Sequence, residues 1–254
     1  LPWKSVFDFF AGLAILFALW WFGIWYVTQN PAMAQFADFG PIPAMQGLIG
    51  LIDYGSLQEG LLHSGYRLGM GMLVAIAIGV PVGIIMGRSK LFAEMSNLPF
   101  QVLRMVSPLS WEPIAVIAFA GWDEAIVFLI AIGAVWPVMF STAAGLAKVD
   151  PAWFKVARNL GANRWHVVTQ LIVPAISYDV LTGIRLALGV AWIVLVPAEF
   201  FGVHSGIGYA IEDARENLYY DWLMAMIVVI GAVGFVLDAI LVQLIKRSSW
   251  HLQS

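Results

Sequence analysis

Polar groups are scattered sparsely through long apolar stretches of this chain: Ser107, Ser110, Glu112, Ser141, Thr142, Asp179, Thr182, Arg185 and Glu199, with Trp111 beside Glu112. In a membrane such groups must face a bundle interior or a water-filled cavity, because polar groups facing lipid are costly. Hydrogen bonding and charge at those positions suit the passage of a polar solute better than the breaking of a bond. Bond-making chemistry has little to draw on. There is no cysteine, and His63, His166, His204 and His251 show no metal-ligand spacing, so no metal site is expected. Glu212, Asp213 and Glu216 form one acidic cluster, and at i, i+1 and i+4 they read as the solvated face of an external helix. A glycine-rich phosphate loop of the P-loop type does not occur, so no nucleotide cofactor is expected in this chain.

Glu112 lies between Trp111 and Pro113 in an apolar stretch, 98–120, that Pro99, Pro108 and Pro113 interrupt. Such a break frees backbone groups that only protein or water can satisfy at membrane depth. Two readings follow. Either residues 107–113 line a translocation path, with Ser141, Thr142 and Glu199 as further candidates, or the stretch is a kinked packing helix with Glu112 near the interface. Glu199 would repel an anion in a pore, so a gating or hydrogen-bonding role suits it. Arg185 could pair with Asp179, attract an anion or snorkel, while Arg67 is expected to snorkel toward water. Asp238 is expected to pair with another helix or meet water.

The elements that must hold these groups are helices in a bilayer. Of 254 residues, 61% are hydrophobic and only 11% charged, against about 25% charged in soluble domains. The apolar runs lack two-residue alternation, which favours helices over a barrel. Nucleic-acid binding has no support, because no basic face is large enough. Six spans are expected, near 9–27, 64–86, 98–120, 125–146, 180–200 and 222–245. The first carries Trp20, Trp21, Trp25 and Tyr26 near its far end, which favours a retained membrane helix; a signal peptide, with Lys4 before the apolar core and Ala32-Met33-Ala34 as its cleavage site, is the competing reading. Residues 29–62 read as a Pro- and Gly-rich loop with a short interfacial helix near 44–52. Gly65 with Gly69, and Gly79 with Gly83, make small-xxx-small pairs that let helices approach closely.

One polar, basic stretch interrupts the apolar sequence: Lys155, Val156, Ala157, Arg158, Leu160, Gly161, Ala162, Arg164 and Trp165. Apolar residues recur there at helical spacing on both sides of Gly161, which predicts two short helices hinged at that glycine, with Pro174 marking the next membrane helix. A basic helix–turn–helix between two spans suits docking into a groove on a cytoplasmic partner. Charge distribution places it. Lys4, Arg88, Lys90, Arg104, Lys148, Lys246 and Arg247 fall on the same side as this loop, and Asp38, Asp53, Glu59, Asp123, Glu124, Glu212, Asp213, Glu216 and Asp221 on the other, with Arg215 its basic exception. The positive-inside rule then puts both termini and the loop in the cytoplasm.

The loop resembles the EAA loop (E-A-A-x3-G-x9-I-x-L-P) of ABC-importer permeases through Ala157, Gly161 and Leu171-Ile172-Val173-Pro174, with Lys155 in place of the Glu. Residues 63–247 are similar almost throughout to permeases of the nitrate/sulfonate/bicarbonate (taurine-like) branch. The pieces that carry the likeness are Gly79–Gly87, Ser107–Trp111, Leu181–Trp192, Ala198-Glu199 and Gly206-Ile207-Gly208.

The resemblance implies an all-α integral membrane protein with six transmembrane helices, in the type I ABC-importer permease fold with a cytoplasmic coupling helix. It divides the chain into an N-terminal helix with external loop (1–62), a transmembrane core (63–247) with the coupling loop at 147–175, and a tail (248–254). The implied protein is a non-catalytic bacterial inner-membrane permease for a small oxyanion. ATP and Mg would be bound by partner ATPase subunits, and the other partners would be an external solute-binding protein and a second permease copy. A self-contained channel or secondary transporter is the alternative; it predicts a protonatable chain at mid-membrane and no docking loop.

Overall fold

The structure, a computed structural model, describes residues 3–200 and 202–248. The tail beyond 248 and His251 lie outside the described residues, which form helices and their connections. Eleven α-helices follow in order: α1 (Trp3–Thr28), α2 (Pro41–Asp53), α3 (Ser56–Arg88), α4 (Lys90–Met105), α5 (Glu112–Ala118), α6 (Trp122–Ala147), α7 (Pro151–Asn159), α8 (Arg164–His166), α9 (Val173–Ala198), α10 (Ile207–Glu216) and α11 (Tyr220–Ser248). Among the described residues, five stretches are long and apolar enough to cross a bilayer: 7–28, 56–88, 122–147, 164–198 and 220–247.

The stretch at 98–120 is not a sixth continuous helix. α4 ends at Met105, a 3₁₀ turn spans Pro108–Trp111, and α5 follows. The prolines account for this, since each lacks an N–H, and the residue before a proline is pushed out of the helical region. Ser107, the residue before Pro108, accordingly has φ −58° and ψ 131°. Pro174, by contrast, does not start the fifth long helix. α8 runs through a π-helical turn, Val167–Ile172, into α9, so the continuous helix begins ten residues before Pro174 at Arg164. The Val173 N–H bonds back to Val168, and the wider turn makes room for the proline ring in the ladder.

The chain divides into two compact units, and the division falls within α3 and α11. In the unit made of residues 1–63 and 204–232, the Trp20 indole donates to the Phe39 carbonyl at 2.9 Å, and the Phe39 ring stacks on Tyr220 at 4.7 Å. Gly47 lets α2 approach α11 so closely that a Cβ would lie 2.7 Å from the Asp221 backbone. α1 is apolar all round and exposed on almost every face, as a lipid-facing helix would be.

The second unit, residues 64–203 and 233–254, holds the bundle core. Glycines of α3 seat it on α6: Gly79 meets Val138, Gly83 meets Met139 and Thr142, and Gly87 meets Leu146. Rising numbers on α3 meet rising numbers on α6, so the two helices run parallel and residues 89–121 must return the chain to its starting end. α9 runs antiparallel to α6, with Gly145 against Asp179, Gly183 against Ser141 and Gly133 against Val190. Gly183 is tight enough that a Cβ would sit 2.6 Å from the Ser141 Cβ. The bundle therefore has one end marked by Arg88, Lys90 and Lys148, and another marked by Asp123, Glu124 and Glu199.

Candidate functional site

At the basic end, α7 is a short helix with a built start and stop. The Asp150 carboxylate accepts from the Ala152 N–H at 2.8 Å, and Pro151 occupies the first helical position. α7 ends because Gly161 turns left-handed at φ +76°, while the Ala162 N–H returns to the Ala157 carbonyl at 3.0 Å. Asn163 then caps α8 by accepting from the His166 N–H at 2.8 Å. The helix–turn–helix expected from the spacing is present, with its hinge at Gly161.

One face of α7 is anchored. Phe154 is buried with Leu146, Ile172 and Ile176, with Ile84 and Val149 packed around them. The Arg88 guanidinium at the end of α3 sits 4.4 Å above the Phe154 ring. The other face is bare. Trp153, Val156, Leu160 (82%) and Trp165 (71%) are exposed among the cations Lys155, Arg158 and Arg164. Ala157 and Ala162 are half-buried, and Gly161 is open.

A second feature lies at mid-bundle. The Pro108 ring packs on Gly133, near the midpoint of α6, so the break after α4 lies deep between the two ends. Ser107 and Ser110 are exposed there, Trp111 and Glu112 half-buried, and the Ser110 N–H donates to the Ser107 carbonyl at 2.9 Å. Ser141 is half-buried on the α9 side of α6. Thr142 is fully buried, and its hydroxyl donates to the Val138 carbonyl at 2.7 Å.

Glu199 stands apart from this group. It is wholly buried at the acidic end, where Arg67 Nη1 donates to it at 2.7 Å and Ser64 Oγ lies 2.8 Å from both of its oxygens. Arg67 also grips Asp123 through Nε and Nη2, at 2.8 and 2.7 Å. Snorkelling is therefore overturned for Arg67, which is 1% exposed: it ties α3 to the first turn of α6 and to Glu199, the residue that follows α9. Sequence reasoning had one clue, that Ser64 and Arg67 share a helical face, and none to the distant carboxylates. Arg185 pairs with Asp238 of α11 at 2.7 and 2.8 Å rather than with Asp179, which pairs with Lys148. Six residues apart on one helix, Asp179 and Arg185 point to different sides. Asp238 has the helix-pairing role expected of it.

The family of binding-protein-dependent transport system inner membrane components matches residues 79–250. The bicarbonate transport system permease protein CmpB of Synechococcus elongatus is 36% identical over 193 residues, covering 74% of this chain and 69% of that protein. The putative aliphatic sulfonates transport permease protein SsuC of Bacillus subtilis is 39% identical over 199 residues, covering 78% and 71%. The taurine transport system permease protein TauC of Escherichia coli is 32% identical over 248 residues, covering 94% and 88%. In fold, the chain is similar to the crystal structure of an amino acid ABC transporter with histidines. The TM-score is 0.56 at 19% identity, covering 78% of this chain and 95% of that one.

Proposed function

The chain belongs to the family of binding-protein-dependent transport system inner membrane components, and from that premise we propose that it forms the path of an ABC importer for a small oxyanion of the bicarbonate, nitrate or sulfonate class. As a permease subunit it is not itself catalytic; a partner ATPase binds and hydrolyses the ATP. It is a multi-pass inner-membrane protein with ATPase and binding-protein partners.

The finer assignments are these. The chain crosses the membrane six times in the type I permease arrangement, α4, the 3₁₀ turn and α5 together making the third crossing. The parallel run of α3 and α6 supports that count, since the residues between them must recross. The basic end and both termini are cytoplasmic, in line with the positive-inside rule. Two identical copies flank the path, and residues 107–112 with Ser141 face it.

The observation that carries the reading is the loop at α7–α8. Its exposed Trp153, Val156, Leu160 and Trp165 among three cations form an apolar, basic knob, while Phe154 anchors the opposite face in the bundle. ATPase closure would push on the knob, and the buried anchor would pass the motion to α3, α6 and α9, biasing two bundle states of different solute affinity. The test is purification of the solubilised complex from native membranes. A P-loop ATPase is expected to co-purify and to be lost on Gly161→Asp, since φ +76° strains any side chain and a carboxylate enters the knob. A chain that purifies alone and moves solute in liposomes without ATP would overturn the importer reading in favour of a channel or secondary carrier.

A further inference from the structure

α4 has three faces, and one of them has no place in lipid. Phe92, Ser96 and Phe100 turn toward the bundle, with Phe100 5.8 Å from Trp136 of α6. Leu91, Met95, Leu98, Val102 and Met105 form an exposed apolar stripe. Lys90, Glu94, Asn97, Gln101 and Arg104 recur every three or four residues on a third face, and all are exposed. Lys90 and Glu94 lie at the basic end, 3.9 Å apart. Further along, Gln101 Nε2 donates to Asn97 Oδ1 at 2.8 Å.

This polar stripe climbs into the bundle. Arg104 stacks 5.3 Å above the ring of Phe140, two turns inside the Lys148 end of α6, and Pro108 then reaches the α6 midpoint at Gly133. Amides and a guanidinium at that depth require water or protein beside them, because lipid would leave their donors unsatisfied. Arg104, like Arg88 at the end of α3, meets a ring rather than a carboxylate. Arg67 and Arg185 each grip a carboxylate, whereas Arg104 has none within 4.0 Å among the described residues. Contact with the Phe140 ring leaves the exposed guanidinium with no carboxylate on its N–H donors, whose planar fork matches an oxyanion. Ser107 and Ser110, just beyond the end of α4 and also exposed, carry further hydroxyl donors.

We propose that Arg104, with Gln101 and Asn97 below it and Ser107 above, is an oxyanion site on the water-filled half of the path between the basic end and mid-membrane. The proposal rests on the importer reading for its cargo, but the site is defined by side-chain chemistry alone. Its ligand is a small oxyanion such as nitrate, bicarbonate or a short alkanesulfonate.

The chain has no cysteine, so single cysteines can be placed on α4 of the assembled complex in membrane vesicles and their reaction with charged methanethiosulfonates timed. Because only the thiolate reacts, and it forms only in water, Asn97→Cys and Gln101→Cys should react about tenfold or more faster than Leu98→Cys and Val102→Cys. At Gln101→Cys the anionic reagent should outpace the cationic one. Adding Arg104→Gln should remove that preference, and nitrate, bicarbonate or ethanesulfonate should slow the reaction only while Arg104 is present, with chloride at equal ionic strength as the control. Uptake by Arg104→Gln should fall about tenfold to a hundredfold at retained ATPase co-purification, with Arg104→Lys between that and the parent. Equal reactivity on the apolar and polar faces would overturn the water-lined face, and a charge preference indifferent to Arg104 would overturn the anion site. Failure of the importer reading looks different: it removes ATP dependence and leaves the α4 pattern intact.

Discussion

Three guanidiniums within the bundle show how an individual residue is fitted to an apolar setting. Arg185 and Asp238 form a bidentate pair between α9 and α11, each nearly half exposed on this chain. Arg104 uses an aromatic face. Arg67 is enclosed with Glu199, Ser64 and Asp123, and no buried side-chain nitrogen or oxygen among the described residues lacks a partner. Breaking such a group costs more than its net worth, because the surviving charge stays buried. Glu199→Ala and Arg67→Ala are each expected to destabilise the solubilised protein by about 3–5 kcal/mol. Replacing both, as Arg67→Met with Glu199→Leu, should recover much of that loss, since no uncompensated charge remains at Glu199. Thermal unfolding in detergent reads this directly, and a double variant as unstable as the sum of the singles would refute it.

At the scale of elements, packing in this bundle is set by where side chains are missing. α3 lies on α6 through Gly79, Gly83 and Gly87, and a Cβ on Gly83 would come within 2.6 Å of the Met139 carbonyl oxygen. The neighbour is backbone, which cannot rotate away, so the helices must separate. Gly83→Val is expected to cost about 1–3 kcal/mol or more by overpacking. Gly65→Val should be near neutral, since a Cβ there meets nothing within 4 Å. Comparing detergent unfolding of the two tests this, and equal effects would mean that the α3–α6 approach is not the constraint. The small-xxx-small pairs were thus legible in sequence, but they are not equivalent: Gly79 and Gly83 face α6, and Gly65 and Gly69 face open space.

For the whole molecule, the two ends of the bundle are built differently. Arg67, Asp123 and Glu199 clamp one end across three long helices, while the other end carries a loop that is anchored by Phe154 and otherwise free. Between them, at the α6 midpoint, α4 gives way to a 3₁₀ turn. Alternating access needs a part that changes shape between two ends driven as rigid bodies, and a broken helix can hinge there without losing a continuous hydrogen-bond ladder. Ser107→Ala and Glu112→Gln are therefore expected to lower uptake several-fold, by the loss of one hydrogen bond or charge each, with assembly unchanged. Parent rates from both variants in reconstituted vesicles would remove residues 107–112 from the path and leave the break as packing.

Composition and periodicity by themselves determined that this is a helical membrane protein, where four of the five long helices among the described residues run, and that a basic helix–turn–helix hinges at Gly161. They could do so because each is a local property: hydrophobic length, helical spacing and a glycine that alone accepts φ +76°. Only the tertiary structure decided that Arg67 is buried with Glu199, that Arg185 chooses Asp238 over Asp179, and that Pro174 lies inside a continuous helix. It also decided that the proline-broken stretch divides at mid-bundle. Those outcomes rest on contacts between residues 50 to 135 positions apart, or on whether a neighbouring helix is there to satisfy a freed backbone group. A polar residue in an apolar helix announces that it needs a partner, but its own sequence neighbourhood does not say which distant group the packing will bring.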